Sequence, residues 1–255
     1  MSDNLESIRV DTGEIITTTV DTFGFNWDNF LLVGALGFGV PGLLQAYLVY
    51  LTKFGSNEEL AVAKLVLSLA IGAAAIFASS ALLVGALAAS QERKMTTLDM
   101  FSDGINHFWQ IFGIRFATQI GVVIGLLLLV VPGIVLFSAW CVTAPACIQE
   151  DITVERAFAR SATLTRGLRV RVLIVWAVFG LGVAVLFLGA MAILSLMGGW
   201  RALFSSGANP MVNLVTAFLS TLIEPLLACL SVALYSALVR LKEGGNEQTL
   251  ASAFS

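Results

Sequence analysis

From Phe112 to Ile148 the chain reads FGIRFATQIGVVIGLLLLVVPGIVLFSAWCVTAPACI. At 1.5 Å per residue, one helix of that length would run roughly 55 Å, far beyond a hydrocarbon core about 30 Å thick. Pro132-Gly133 falls near its middle, where proline fixes φ and glycine accepts the turn conformations other residues avoid. A hairpin there gives six crossings for the whole chain; a single kinked helix gives five. The basic residues decide between them, because cytoplasmic loops carry the Lys and Arg excess. With six crossings, eleven of the 14 basic residues share one side with both termini: Arg9, Arg93, Lys94, Arg115, Arg156, Arg160, Arg166, Arg169, Arg171, Arg240 and Lys242. Lys53, Lys64 and Arg201 fall on the other side. Five crossings would place the five-arginine loop outside, so six is the expectation, with both termini cytoplasmic.

The rest of the composition agrees. Of 255 residues 58% are hydrophobic and 12% charged, with a mean hydropathy of +0.90. A soluble fold of this length could not hide so much apolar surface, and disorder is excluded by the same numbers. A net charge of −3 gives no reason to expect nucleic acid. The expected fold is an all-α polytopic helical membrane protein with about six transmembrane helices in three hairpins. The expected spans are 31–51, 60–90, 112–131, 133–148, 172–197 and 212–241, forming one membrane domain over 30–241. A cytoplasmic segment over 1–29 precedes it and a cytoplasmic tail over 242–255 follows. The first segment lacks the charged and apolar regions of a secretory signal, so the first span is expected to be retained. Pro41-Gly42 is expected to kink that span. The fourth span is short, about 24 Å of helix, and Pro145 shortens its regular part. It is either tilted or half of a re-entrant pair, and both return the chain to the same side.

Three stretches have helical periodicity without the length to span. Ile16, Val20, Phe23 and Trp27 form one stripe, after Asp11 and Glu14 in capping positions. Leu98, Phe101, Ile105, Phe108 and Phe112 form a second, with Thr97 as N-cap. The third runs from Thr153 through Val154, Phe158 and Leu164 to Leu168. Such helices either lie in the headgroup plane with the apolar side down or pack on the end of the bundle. Each leads into a span, so the order of amphipathic helix, span, turn and span occurs three times, a pattern that suggests a threefold repeat.

Chemistry-bearing residues are few. His107 has no second His or Cys at ligand spacing, and neither a phosphate-binding glycine loop nor a nucleophile elbow is present, so no metal, cofactor or catalytic role is expected. Cys141, Cys147 and Cys229 read as buried thiols. The span glycines read as close-packing positions between helices. Glu224, before Pro225 near the middle of the last span, is the exception. An ionisable group at that depth should face the bundle interior or water. It is either a proton- or cation-responsive group on a transport path or a packing residue paired with Gln45, Ser231 or a threonine. Arg156, Arg160, Arg166, Arg169 and Arg171 form the second feature. They suit a lipid phosphate, which Arg recognises bidentately, or they express positive-inside topology alone. Glu150, Asp151 and Glu155 are close enough in sequence to pair some of them.

Val131-Pro132-Gly133-Ile134, Trp140, Pro145, Glu150, Ala157-Phe158-Ala159-Arg160-Ser161 and Leu164-Thr165-Arg166-Gly167 together resemble a pattern in the membrane domain of glycerophosphoryl diester phosphodiesterases and related six-span bacterial inner-membrane proteins. The match covers about forty residues. In some of those proteins the membrane domain precedes a soluble catalytic domain. With no such domain before Ser255, the resemblance implies a membrane module of the bacterial inner membrane without the phosphodiesterase activity. Pro132, Gly133, Trp140, Pro145 and Glu150 are then the structural hairpin. The expected function is a non-enzymatic accessory or scaffold engaging anionic lipid or a partner at the cytoplasmic face, with a membrane-protein partner and a homo-oligomer both open. The alternative is a small transporter or channel with Glu224 lining the path.

Overall fold

The computed structural model describes residues 11–51, 58–196 and 210–244. Residues 245–255 of the expected tail (242–255), the first ten residues, Lys53, Arg201 and the last residue of the fifth expected span lie outside them. Among the described residues every regular element is helical, and six stretches are long and apolar enough to cross a membrane: Trp27–Leu48, Leu65–Ser90, Phe108–Leu128, Val130–Gln149, Arg169–Leu194 and Val212–Gly244. The protein is an all-α multi-pass membrane protein.

In chain order the helices are α1 (Thr12–Phe25), α2 (Trp27–Gly34), α3 (Val40–Leu51), α4 (Glu58–Ser90), α5 (Thr97–Asn106), α6 (Phe108–Leu128), α7 (Val130–Trp140), α8 (Thr143–Gln149), α9 (Val154–Thr165), α10 (Arg169–Leu194) and α11 (Pro210–Val239). A π-turn over Ala35–Gly39 joins α2 to α3, and another over Arg240–Gly244 closes α11. The amphipathic helices α1, α5 and α9 each precede a pair of spans, so the threefold order expected from the sequence is present in the elements themselves.

The prolines explain where the helices break. A proline cannot donate to residue i−4, and its ring clashes with that carbonyl. Four residues before Pro132 is Leu128, where α6 ends. Four before Pro145 is Cys141, where α7 gives way to α8. The hairpin turn therefore falls at Leu129, in extended backbone (φ −168°, ψ 143°), not at Pro132-Gly133 as expected. Pro132 lies in the first turn of α7, where its missing N–H has no intrahelical partner to lose. Four before Pro41 is Gly37, inside the π-turn, where the Val40 N–H reaches back to the Ala35 carbonyl. The break expected at Pro41-Gly42 is absorbed there.

The core lies toward the end that carries α1, α5 and α9. Ala78–Ala89 of α4 and Ala228–Leu238 of α11 are largely buried there against Phe30, Met100, Ile111, Ala146, Cys147, Leu164 and Val172. The far halves of the spans are exposed, at Val62, Leu65, Val66 and Leu69 in α4 and at Leu181, Val185, Leu186 and Leu188 in α10. Such a surface suits lipid, which removes the need for a protein neighbour. Glycines permit closest approach only where helices meet. A Cβ on Gly125 would stand 2.9 Å from the Gly133 Cα, and one on Gly34 would stand 2.4 Å from the Thr221 carbonyl oxygen, which Pro225 deprives of its usual donor. Gly180, Gly182 and Gly189 in α10 have nothing within 4 Å, so the close-packing expectation fails for that helix.

The amphipathic helices use both faces. In α1 the buried residues are Ile15, Thr19 and Thr22, followed by Asn26, whereas Val20 and Trp27 of the expected stripe are more than half exposed. In α5, Met100 and Gly104 are buried and Leu98 is 80% exposed. Each stripe is divided: Val20, Leu98 and Ile105 face outward, whereas Phe23 stacks on Phe30 and Phe101 on Phe77 against the core, beside the buried Ile15 and Met100. The α5 cap is Thr96, one residue before the expected Thr97, in a reciprocal box with Asp99. Buried Asn26 donates to the Met95 carbonyl at 2.8 Å and accepts from Asn29. Asn29 in turn accepts from the Thr97 N–H and hydroxyl, which pins the α1–α2 junction to the start of α5.

Candidate functional site

The five-arginine segment begins on α9, a helix held in its C-terminal half. After Thr165 the chain passes through Arg166 and through Gly167, whose φ of +84° is a left-handed value that glycine adopts without strain, and α10 begins at Arg169. Lys242 stabilises the C-terminus of α9 by donating to the Thr163 and Arg166 carbonyls at 2.9 and 2.8 Å. Ser161 donates to the Ala139 carbonyl, which docks α9 on α7.

Arg160 is committed to the protein. Its Nε donates to Glu150 Oε1 at 2.7 Å and its Nη2 donates to Glu243. The Tyr235 hydroxyl donates to the same Glu150 oxygen at 2.8 Å. Burial works against the Arg160 charge, but the hydrogen bonds and charges of Glu150 and Glu243 outweigh it and hold the guanidinium above its ordinary pKa. Glu150 thus pairs one of the arginines, as its sequence position allowed. The result is a knot of α8, α9 and α11 rather than a free base.

Arg166 and Arg169 are placed differently. With Ala162, Thr163, Gly167 and Val170 they line an open cleft of about 650 Å³ at the α9–α10 break. The first turn of α10 has no side-chain cap there, and the Arg169 Nε is inaccessible and makes no hydrogen bond among the described residues. Arg156 is exposed on α9, and Arg171 is half-buried in the first turn of α10.

Glu224 sits midway along α11, eleven residues from both Asn213 and Tyr235, or about 16 Å each way. Its charged partner is Arg115, with Nη2 and Oε2 3.9 Å apart. Arg115 was expected in a cytoplasmic loop; it lies two turns inside α6, which makes this a charged pair within two spans. Gln45 does not reach Glu224. It lines a separate cavity of about 190 Å³ between α3, α4 and α11, with Asn213, Thr216 and Ser220. Ser231 donates to its own helix at Ala228.

The hairpin residues act structurally. The Trp140 ring packs edge-on to Phe158, with centroids 5.1 Å apart, and lies so close to Gly121 that a Cβ there would stand 2.3 Å from it. Pro145 is buried in the first turn of α8. His107 Nδ1 lies 2.9 Å from Gln110 Oε1, and among the described residues no three His, Cys, Asp or Glu side chains gather as a metal site. Cys147 and Cys229 are buried and Cys141 half-buried, all three free. Sequence reasoning missed the Arg115–Glu224 pair, the Asn26–Asn29–Thr97 junction and the Lys242 cap. Only the first had a local signal, a single base inside an otherwise uncharged span.

No family model, curated protein or solved structure matches this chain.

Proposed function

We propose that this protein is a non-enzymatic accessory or scaffold of the bacterial inner membrane, that both its termini are cytoplasmic, and that it holds the phosphate of an anionic lipid at the α9–α10 break. The observation that carries this reading is the cleft lined by Arg166, Arg169 and Thr163 at the uncapped start of α10. Two guanidiniums beside free backbone N–H groups form an arrangement suited to a phosphate. The exposed apolar residues Val20, Trp27, Leu98 and Ile105 support placing this end at headgroup level, and the basic residues gathered there support a cytoplasmic assignment. The resemblance to the membrane domain of glycerophosphoryl diester phosphodiesterases belongs to the same proposal, since its residues build the α7–α8–α9 corner. Native mass spectrometry of protein released from its own membrane tests the reading. Co-purifying anionic phospholipid that is lost on replacing Arg166 and Arg169 with alanine supports it; equal retention by the variant contradicts it.

A second reading, a small transporter or channel, is favoured by the Arg115–Glu224 pair inside the spans. Flux in proteoliposomes that disappears in Glu224→Gln tests it.

A further inference from the structure

The cleft at the α9–α10 break is lined by Arg166, Arg169 and Thr163 beside Ala162, Gly167 and Val170, with neither a carboxylate nor a histidine among them. The Arg166 and Arg169 guanidiniums make no ion pair or hydrogen bond among the described residues, and the inaccessible Arg169 Nε has no acceptor. The N–H groups of Arg169 and Val170 precede the first intrahelical acceptor of α10 and reach no carbonyl among the described residues. The Thr163 hydroxyl already donates to the Arg160 carbonyl at 2.7 Å. What the cleft offers is therefore hydrogen-bond donors and positive charge.

The surroundings do not cancel that charge. Arg160 pairs with Glu150 and Glu243, and Lys242 lies on the Thr163 and Arg166 carbonyls, two bases against two acids. On α1, which packs on α10, Asp11 caps its own helix and Glu14 faces Arg240. The other neighbour, α7, has no charged residue, and Arg156 and Arg171 have the same sign as the cleft. A phosphodiester presents one negative charge on two unesterified oxygens. A phosphomonoester presents close to two on three, since its second pKa is about 6. Two guanidiniums and two backbone donors match the second better.

The cleft is also continuous with an apolar track. Val170 lines it and is 71% exposed, and Ile174, Val178 and Leu181 follow at spacings of four, four and three, all exposed on one face of α10. From Val170 to Leu181 is about 16 Å of helix, close to half of a hydrocarbon core about 30 Å thick. A donor-lined cleft opening onto such a track suits a phosphate attached to an acyl chain.

We propose that the α9–α10 cleft selects a lipid phosphomonoester, a headgroup ending in an unsubstituted phosphate, over phosphodiester lipids, and that its acyl region lies along Val170, Ile174, Val178 and Leu181. The proposal rests on the reading of this cleft as a lipid-phosphate site and names the class of lipid.

The full-length protein in detergent is titrated with short-chain phosphatidic acid, short-chain phosphatidylglycerol and glycerol 3-phosphate, at pH 8 and at pH 5. At pH 8 phosphatidic acid should bind at least about tenfold more tightly than phosphatidylglycerol, the strength of one further charge-assisted hydrogen bond. At pH 5 the monoester keeps about one charge, so most of that preference should be lost; phosphatidylglycerol, singly charged at both, is the reference. Glycerol 3-phosphate, with the phosphate and no chain, should bind more weakly than phosphatidic acid. Equal affinity of the two lipids at pH 8, or a preference undiminished at pH 5, overturns the selection. Equal binding of glycerol 3-phosphate and phosphatidic acid overturns the acyl track and assigns a soluble phosphomonoester. These outcomes are read on the wild type and do not depend on any variant folding. Replacing Arg166 and Arg169 with alanine separates the two levels: equal lipid affinities that both fall in the variant keep the cleft and reject the selection, whereas affinities that do not fall reject the cleft itself.

Discussion

Arg115 and Glu224 face each other from α6 and α11, two helices with little other contact, and their 3.9 Å approach joins them inside the spans. Arg115 is 49% and Glu224 26% exposed. Removing one partner leaves an uncompensated charge, so Arg115→Ala should destabilise the protein. The loss should fall below the roughly 3–5 kcal/mol of a fully buried pair, because Arg115 is half accessible. The double change Arg115→Leu with Glu224→Leu should restore most of it. Equilibrium unfolding of the wild type and the two variants in detergent checks this, and a double variant less stable than Arg115→Ala would refute the pairing.

Gly34 and Gly182 should respond with opposite sign to alanine. At Gly34 the new methyl meets the Thr221 backbone carbonyl at 2.4 Å, which cannot rotate away, so a loss of about 1–3 kcal/mol is expected. At Gly182 nothing lies within 4 Å, and the higher helix propensity of alanine should be neutral or gain up to about 1 kcal/mol. Thermal midpoints measured side by side decide it.

Tyr235→Phe removes a hydrogen bond to the Glu150 carboxylate while Arg160 still neutralises that charge. The expected cost is near the low end, about 1.5 kcal/mol, of bonds to charged groups. Glu150→Ala should cost more, since Arg160 then keeps only Glu243. A Glu150 variant as stable as the wild type would mean that the α8–α9–α11 knot does not hold this corner.

The α5 cap should be sensitive to acid. Hydrogen bonds from the Thr96 hydroxyl and backbone N–H hold the Asp99 carboxyl below its ordinary value of 3.8. A depressed folded pKa contributes stability above the ordinary value and loses it as the pH falls through the folded one. Amide exchange across α5, corrected for intrinsic rates, should therefore accelerate in that acidic window, and Asp99→Asn should remove the pH dependence.

The spans were legible because lipid demands about twenty consecutive apolar residues, a requirement that acts on the sequence one residue at a time. The breaks were displaced because a proline acts on the carbonyl four residues behind it, so Pro132 ends α6 at Leu128 and Pro145 ends α7 near Cys141. The packing faces of α1 and α5 were hidden for a different reason. In water an apolar stripe marks the side that meets protein, but beside lipid part of it can remain outside, as Val20 and Leu98 do, while Thr19, Thr22 and Gly104 join Ile15, Phe23 and Met100 in the contacts. Of the candidate residues, the arginine segment and Glu224 were visible as charges in an uncharged background. Which of them were already paired depended on Glu243, Tyr235 and Arg115, which are distant in the chain and become neighbours only through the fold.

The α9–α10 cleft is tested most directly by titrating the detergent-solubilised protein with short-chain phosphatidylglycerol and with its phosphatidylcholine counterpart. At about 1 kcal/mol per basic residue near an anionic headgroup, replacing both Arg166 and Arg169 with alanine should weaken phosphatidylglycerol binding by about thirtyfold and leave phosphatidylcholine unchanged. Equal affinity of the wild type and the double variant for phosphatidylglycerol would contradict the cleft as the lipid site.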